Sequence, residues 1–351
     1  MNTKSIIYIL FFILLYSYKV EAQGIQAKAY LVFDYKTGIV LSYKNPNKKL
    51  KIASITKLMT AYTVLKAIRE KRLKYTDKVR ISLQADKTGG SSLGLRQNTS
   101  ITVKRLLQGL IVRSGNDAAV ALAEKVAKTE SKFVKKMNAY ARQLGMKNSL
   151  FVNSSGLPSR KKQYSTVRDV GLLAQRIVSE FPKAYRNIFS LRSYNKQHNR
   201  NKLVLDGYAD GLKTGYTRKA GFCLVASRKE KNTRLITILL GSKTTKKRNT
   251  DVRSLLKSGF KHVKKRLLKN KNLSFNLINL NKALGRYQVI SENGVYIRQQ
   301  ATTKSKRLGS LLDGQKITVI DSTNQWKKVQ YRTQGKNKQG YVFSRYLKKI
   351  N

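Results

Sequence analysis

Residues 52–68 read Ile52-Ala53-Ser54-Ile55-Thr56-Lys57-Leu58-Met59-Thr60-Ala61-Tyr62-Thr63-Val64-Leu65-Lys66-Ala67-Ile68. Ile55, Leu58, Met59, Tyr62, Leu65 and Ile68 recur at helical spacing, which predicts a buried helix starting at Ser54. Ser54 and Lys57 are three apart, so a hydroxyl and an amine share one helix face as neighbours. The first turn of a buried helix also offers backbone N–H groups without partners, which can stabilise a developing oxyanion. Crowding and desolvation push a lysine toward its neutral form, in which it can take a proton from a serine. The pair reads either as nucleophile and base or as a helix cap beside a surface lysine. Ser-x-x-Lys also occurs at Ser159, Ser193, Ser254 and Ser258, so spacing alone does not choose.

Upstream, Ala29–Asp34 and Ile39–Leu41 flank Thr37-Gly38 and predict two strands of a hairpin. Downstream, residues 102–127 hold two helical stretches broken at Ser114-Gly115-Asn116, and residues 131–145 and 166–179 read as further helices. Leu203–Tyr208, Phe222–Ser227 and Arg234–Leu240 read as strands, and Val252–Lys265 as a helix. Strands at both ends with helices between them predict a mixed α/β (α+β) architecture: an antiparallel sheet flanked by helices, with a helical subdomain inserted. Residues 266–285 are rich in Lys, Asn and Leu and read as a basic linker. From Arg286 onward, short β-type runs and Gly-marked turns predict a small all-β unit.

Two more short motifs lie within this frame. Polar Ser114-Gly115-Asn116 interrupts two apolar helical patterns; such a break either faces a cleft or caps an interhelical turn. In a cleft, Ser114 could relay a proton and the Asn116 amide could bond a substrate amide. Lys213-Thr214-Gly215 lies on or beside a predicted sheet edge, where Gly215 leaves room for a substrate backbone to pair. There Lys213 supplies fixed positive charge, and Thr214 and Thr217 supply hydroxyls for a carboxylate. Lys-Thr-Gly recurs at Lys36 and Lys87, where it reads as a turn.

Composition narrows the chemistry. Residues 1–22 carry Lys4, an apolar run from Ile6 to Leu15, and Val20-Glu21-Ala22, the pattern of a secretory signal peptide, with an uncleaved anchor as the other reading. The one cysteine, Cys223, rules out an internal disulfide framework and a cysteine zinc cage. His198 and His262 stand far apart, without metal-site spacing. Hydrolysis without metal, cofactor or histidine is the expectation. Seventy-three Lys and Arg against 17 Asp and Glu give a net charge of +56, spread along the whole chain. That charge suits a solvated basic surface, or peripheral attraction to anionic membrane or acidic wall polymer. An export signal argues against nucleic acid as partner.

The three motifs, in this order, resemble those of the penicillin-recognising serine enzymes. Their flanks resemble the D-alanyl-D-alanine carboxypeptidases, the low-molecular-mass penicillin-binding proteins. Those flanks are Ser114-Gly115-Asn116-Asp117-Ala118, Leu144-Gly145-Met146, Asn153-Ser154-Ser155-Gly156-Leu157, Tyr164–Asp169, Asp210–Thr217 and Ala220-Gly221-Phe222. The likeness covers about residues 27–260. It implies a β-lactamase/transpeptidase-like fold over 23–265. It also implies that Ser54 attacks the penultimate D-Ala of peptidoglycan stem peptides, with Lys57 as general base. Ser114 and Lys213 would manage the proton, and Asn116 would orient the stem. The backbone N–H groups of Ser54 and Tyr216 would form the oxyanion hole. Thr214, Thr217 and Arg248 would hold the terminal carboxylate, with Arg248 drawn from a basic run, Lys246-Lys247-Arg248. A β-lactam would trap Ser54 as an inhibitor.

Many members of that family continue into a β-rich domain and an amphipathic helix. Residues 286–351 instead resemble a bacterial SH3-like domain, through Gly294–Arg298, Leu308–Leu311, Gly314–Ile317, Trp326–Val329 and Gly340–Leu347. Such a barrel either binds peptidoglycan peptide or acts as a spacer, and Trp326 is expected in its core or groove floor. Three other activities compete with carboxypeptidase: a D,D-endopeptidase on cross-links, a β-lactamase, and a catalytically degenerate wall-binding protein. The second lacks a clear glutamate to activate a deacylating water, since Glu124, Glu130 and Glu180 lie on or beside predicted helices.

Overall fold

The computed structural model describes residues 24–267 and 285–350, apart from 304, 323, 324, 334 and 335. They form two compact units, one from each stretch. The predicted signal peptide and nearly all of the predicted linker lie outside the described residues.

The larger unit is built on strands β1 (Ala29–Asp34) and β2 (Val40–Lys44), helices α1 (Lys57–Arg69), α2 (Val103–Val112), α3 (Asn116–Ala127), α4 (Glu130–Gln143) and α5 (Val167–Glu180), strands β3 (Leu212–Thr217), β4 (Gly221–Glu230) and β5 (Thr233–Ser242), and helix α6 (Thr245–Leu267). The strands form one antiparallel sheet in the order β2-β1-β5-β4-β3. The two ends of the unit supply the sheet, and helices α1 to α5 lie between them in sequence, as predicted.

The sheet is buried on both faces, which is why β1 reads as a nearly unbroken apolar run. Leu31 and Phe33 join the core on the side of α1 and α5. Tyr30 and Val32 join the other core, with Val252, Leu255, Leu256 and Phe260 of α6. Each flanking helix approaches through a glycine. A methyl group at Gly171 of α5 would stand 3.1 Å from Leu31 and 3.3 Å from Phe33, and one at Gly259 of α6 would stand 2.8 Å from Leu235. Threonine hydroxyls open three of the helices: Thr102, Thr129 and Thr166 accept from the backbone N–H of Arg105, Lys132 and Asp169.

The strand expected at Leu203–Tyr208 is not formed. Lys202–Leu205 is a helical turn, capped by Asn201, whose Oδ1 accepts from Leu203 N. Leu203 and Val204 are both buried in succession, which a half-exposed strand does not allow, and Gly207 ends the turn at φ +67°. The late helix starts seven residues earlier than predicted, because Thr244 Oγ1 caps it by accepting from Lys247 N. Its first turn is basic and shows no apolar period.

The smaller unit holds β6 (Gly285–Val289), β7 (Val295–Arg298), β8 (Arg307–Leu311), β9 (Lys316–Ser322), β10 (Trp326–Thr333), β11 (Lys336–Phe343) and β12 (Leu347–Lys349). They form an antiparallel sheet in the order β8-β7-β11-β10-β9-β6-β12. Val295, Ile297, Leu311, Val319, Val329 and Val342 make its core. Trp326 is buried and packs edge-on against Phe343 at 5.1 Å, in keeping with its predicted place.

Candidate active site

Ser54 sits in a single 3₁₀ turn, Ala53–Thr56, that runs directly into α1. The chain enters this turn through Ala53 at φ +47°, a left-handed conformation costly for a residue with a Cβ. Gly156 (φ +84°) lies against it, and a methyl group there would overlap the Ala53 carbonyl oxygen. Gly215, on the free edge of β3, faces the same turn. A methyl group at that position would be 3.0 Å from Ile52 O and 3.2 Å from the backbone nitrogens of Ser54 and Ile55. The edge strand and the serine turn are therefore held at backbone distance.

Lys57 is fully buried, and its Nζ lies 3.1 Å from Ser54 Oγ. Nζ also donates to Asn116 Oδ1 and to the Ser155 carbonyl, both at 2.6 Å. Burial, and then the Arg200 guanidinium, lower the Lys57 pKa to about 7, against the opposing pull of Asp117. A neutral amine has two N–H donors and one lone pair. Two short acceptor contacts occupy the donors, which leaves the lone pair facing the serine hydroxyl. The arrangement can deprotonate Ser54 near neutral pH.

Asn116 is fixed at both ends of its amide. Its Oδ1 receives Lys57 and its Nδ2 donates to Gly89 O at 2.7 Å, leaving one Nδ2 hydrogen. Ser114 is buried at the end of α2 with φ +64°, and its hydroxyl makes no hydrogen bond among the described residues. Lys213 is fully buried on β3, and its Nζ donates to Thr214 O at 2.9 Å. Burial first, then Lys57, Arg200 and Arg248, hold its pKa well below the ordinary lysine value. Thr214 is buried; Thr217 Oγ1 accepts from Ala220 N in the turn after β3. Tyr216 is exposed and stacks on Phe222 at 4.2 Å.

Arg248 occupies the first turn of α6 and is 5% exposed. Its Nε and Nη2 donate to Asn249 Oδ1, and burial lowers its pKa to about 10. It forms no ion pair among the described residues, so a buried guanidinium stands ready for an anion.

Four contributors were given no part in the site by the sequence reading, although each lies in a segment it quoted or named. Ser155 offers only its carbonyl to Lys57. Glu130, one of the glutamates considered for deacylation, instead fixes that segment: its Oε1 accepts from Ser154 N at 2.8 Å and Ser154 Oγ at 2.5 Å. Asp117 accepts from Ser92 Oγ and from Leu93 and Leu95 N, tying the 91–95 loop to α3. The Lys87-Thr88-Gly89 segment, read as a plain turn, brings Gly89 O to Asn116. Asp117 and Ser155 stood in the flanks that carry the resemblance, and the Asn-x-x-Gly spacing at 153–156, where Asn153 Oδ1 accepts from Gly156 N, carried a turn signal.

Residues 17–244 match the family described as D-alanyl-D-alanine carboxypeptidase, and residues 293–348 match the bacterial SH3 domain. Among characterised relatives, the chain is 38% identical over 243 residues to the D-alanyl-D-alanine carboxypeptidase DacF of Bacillus subtilis. That match covers 67% of this chain and 62% of the relative. It is 34% identical over 357 residues to DacA of Haemophilus influenzae, covering 96% and 86%. Among solved structures it is similar to penicillin-binding protein D2 of Listeria monocytogenes in its ampicillin-bound form. The identity is 32% and the TM-score 0.61, over 67% of this chain and 97% of that one. The chain thus spans less than two thirds of the length of the Bacillus relative.

Proposed function

The chain belongs to the D-alanyl-D-alanine carboxypeptidase family, and we propose that it is a serine D-Ala-D-Ala carboxypeptidase acting on peptidoglycan pentapeptide stems. One observation carries this reading: a buried Lys57 amine, shifted to about 7, whose remaining valence points at Ser54 Oγ.

In the proposed reaction the stem lies along the free edge of β3, with Asn116 orienting it. Neutral Lys57 takes the Ser54 proton as Oγ bonds to the carbonyl carbon of the penultimate D-Ala. The backbone N–H groups of Ser54 and Tyr216 receive the oxyanion. Collapse breaks the C–N bond, and the proton held by Lys57 passes through Ser114 to the departing amine. Thr214, Thr217 and Arg248 hold the carboxylate of that D-Ala, and Lys213 supplies positive charge beside Lys57. Water, activated by the same amine, then cleaves the ester and frees the shortened stem. A β-lactam presents a carbonyl in place of the peptide and acylates Ser54 as an inhibitor.

The domain reading that accompanies this is a catalytic segment at 23–265, a linker at 266–285 and an SH3-like segment at 286–351. The 1–22 pattern supports export to the periplasm or another extracytoplasmic compartment, and the net charge supports peripheral contact with anionic membrane or wall.

Intact mass after exposure to benzylpenicillin, peptide mapping of the adduct, and D-Ala release from a pentapeptide together test the proposal. A Ser54 adduct and D-Ala release, both absent in Ser54→Ala, are expected. An adduct with D-Ala left in place, and cleavage of a cross-linked dimer instead, would replace carboxypeptidase by endopeptidase. A folded protein that forms no adduct, cleaves neither peptide and leaves penicillin unhydrolysed favours the wall-binding reading, and rapid penicillin turnover favours a β-lactamase.

A further inference from the structure

The first turn of α6 carries the basic run Lys246-Lys247-Arg248, and the three cations sit in three different settings. Lys246 is exposed. Lys247 Nζ is held twice, donating to Gly24 O at 2.7 Å and to Asp251 Oδ1 at 2.6 Å. Arg248 is buried; among the described residues its guanidinium bonds only to the Asn249 side chain and forms no ion pair. Asp251 is the carboxylate placed between them. It lies four residues after Lys247 and three after Arg248, and on a helix both spacings make side chains neighbours. It is 2% exposed, and its Oδ2 is buried with no hydrogen-bond partner among the described residues.

A buried carboxylate oxygen without a donor is an open acceptor, and a guanidinium matches a carboxylate through two parallel N–H bonds. An Arg248 paired to Asp251 in that way would lose its charge to its own helix and have none for a substrate. Two features keep the pair apart. Lys247 occupies Oδ1 and balances the carboxylate, and Gly24 O holds the same ammonium from outside the helix. The segment behind Gly24 is fixed in turn, since Ile25 and Ala27 pack into the core with Val252 and Leu255 of α6. On the other side, Asn249 Oδ1 takes both Nε and Nη2 of Arg248. Burial brings the Arg248 pKa to about 10, with Cys223 rather than Asp251 set against it.

We propose that Lys247 is a positioning residue: by holding Asp251 it keeps Arg248 unpaired, and so sets the affinity of the site for the substrate carboxylate. The proposal rests on the reading that Arg248 holds that carboxylate.

The test is a ratio. Benzylpenicillin carries a carboxylate and its methyl ester does not, so the ratio of their acylation rates reports the anion site, and a general loss of rate cancels. Rates are read by intact mass on the full chain, normalised to the fraction that saturating benzylpenicillin labels. Arg248→Gln gives the ratio without the guanidinium. Lys247→Met frees Asp251, as does Lys247→Gln, which keeps an N–H donor without the charge. Each is expected to lower the ratio about tenfold, since a hydrogen bond to a charged group contributes at least that factor. KM for D-Ala release rises by a similar factor while kcat stays within about twofold. Lys247→Arg keeps the cation and the native ratio. Adding Asp251→Asn to Lys247→Met removes the competing charge, and the ratio returns to within about threefold of native, although the bond to Gly24 O stays lost. A double variant no better than the single one shows a packing role alone and overturns the proposal. So does a ratio that falls in Arg248→Gln and holds in Lys247→Met. A ratio unmoved by Arg248→Gln overturns the assignment of Arg248, and the role of Lys247 with it; D-Ala release decides the carboxypeptidase reading separately.

Discussion

Replacing Asn116 by aspartate puts a negative charge 2.6 Å from Lys57 Nζ in place of a neutral carbonyl oxygen. An opposite charge that close, in a buried site, favours the ammonium form. The Lys57 pKa is expected to rise from about 7 to between about 8 and 10. The sign follows directly: acylation needs the neutral amine, so raising the pKa slows it at neutral pH. At pH 7 about half of the native Lys57 is neutral, whereas the variant holds between about one tenth and one thousandth in that form. Acylation by benzylpenicillin at pH 7 should fall between about fivefold and five-hundredfold, and should recover as pH rises through the new value. The native enzyme should speed up between pH 6 and 8, with a midpoint near 7. The assay is the second-order rate of adduct formation, read by intact mass across pH 5.5 to 10. Loss of the Nδ2 bond to Gly89 O lowers the rate uniformly and does not move the midpoint. A variant that is slower with its midpoint still near 7 would refute Lys57 as the titrating base.

Substitutions at two further positions probe the frame around that amine. Gly156→Ala forces a methyl group into the Ala53 carbonyl at a left-handed φ of +84°; it should cost at least about 1–2 kcal/mol and lower acylation more than tenfold, as read by thermal melting and penicillin labelling. Glu130→Ala leaves Ser154 N and Oγ without their acceptor and should destabilise by about 1–3 kcal/mol with slower acylation, whereas Glu130→Gln keeps an Oε1 acceptor and should remain near native in both measurements.

The sequence disclosed those parts of the fold and site that are local. The spacing of Ser54 and Lys57 places them on one turn, and the structure puts their polar atoms 3.1 Å apart. The apolar periods of α2 and α4 showed because each leaves one face exposed, while α1, α3 and α5 showed as apolar stretches because their first two turns are buried on all sides. Lys213 and Gly215 read correctly as residues at a sheet edge, because a glycine in a β-type run marks a close approach. Contributions made through the main chain did not show. Ser155 and Gly89 act as carbonyls, and any residue supplies a carbonyl, so their identities announce nothing. Glu130 was visible as a carboxylate, but its distance in sequence from Ser54 concealed that it braces the segment bonded to Lys57. Leu203–Tyr208 failed for another reason. A short apolar run fits a strand or a single helical turn equally well, and the deciding signals were the flanking Asn201 and Gly207.

The electrostatics of the cleft depend on what the sequence omits as much as on what it contains. Burial and then the neighbouring Arg200 lower Lys57, while burial first, and then Lys57, Arg200 and Arg248, lower Lys213. Asp117 is the carboxylate that pulls Lys57 the other way, but its Oδ2 is already shared among Ser92 Oγ, Leu93 N and Leu95 N, and its Oδ1 accepts from Ala118 N. A second free carboxylate in the cleft would neutralise Arg248 and draw Lys57 back toward its ammonium form, removing both the anion site and the base. The deficit of acidic residues in the chain therefore has a local consequence. The cleft favours the neutral amine first by burying it and then by setting another cation beside it, and leaves a buried guanidinium without an ion pair among the described residues, open to an anion brought by the substrate. That dependence couples binding to chemistry: a substrate carboxylate settling at Arg248 relieves the positive crowding, and for that reason it must lie nearer the guanidinium than the amine if Lys57 is to stay neutral.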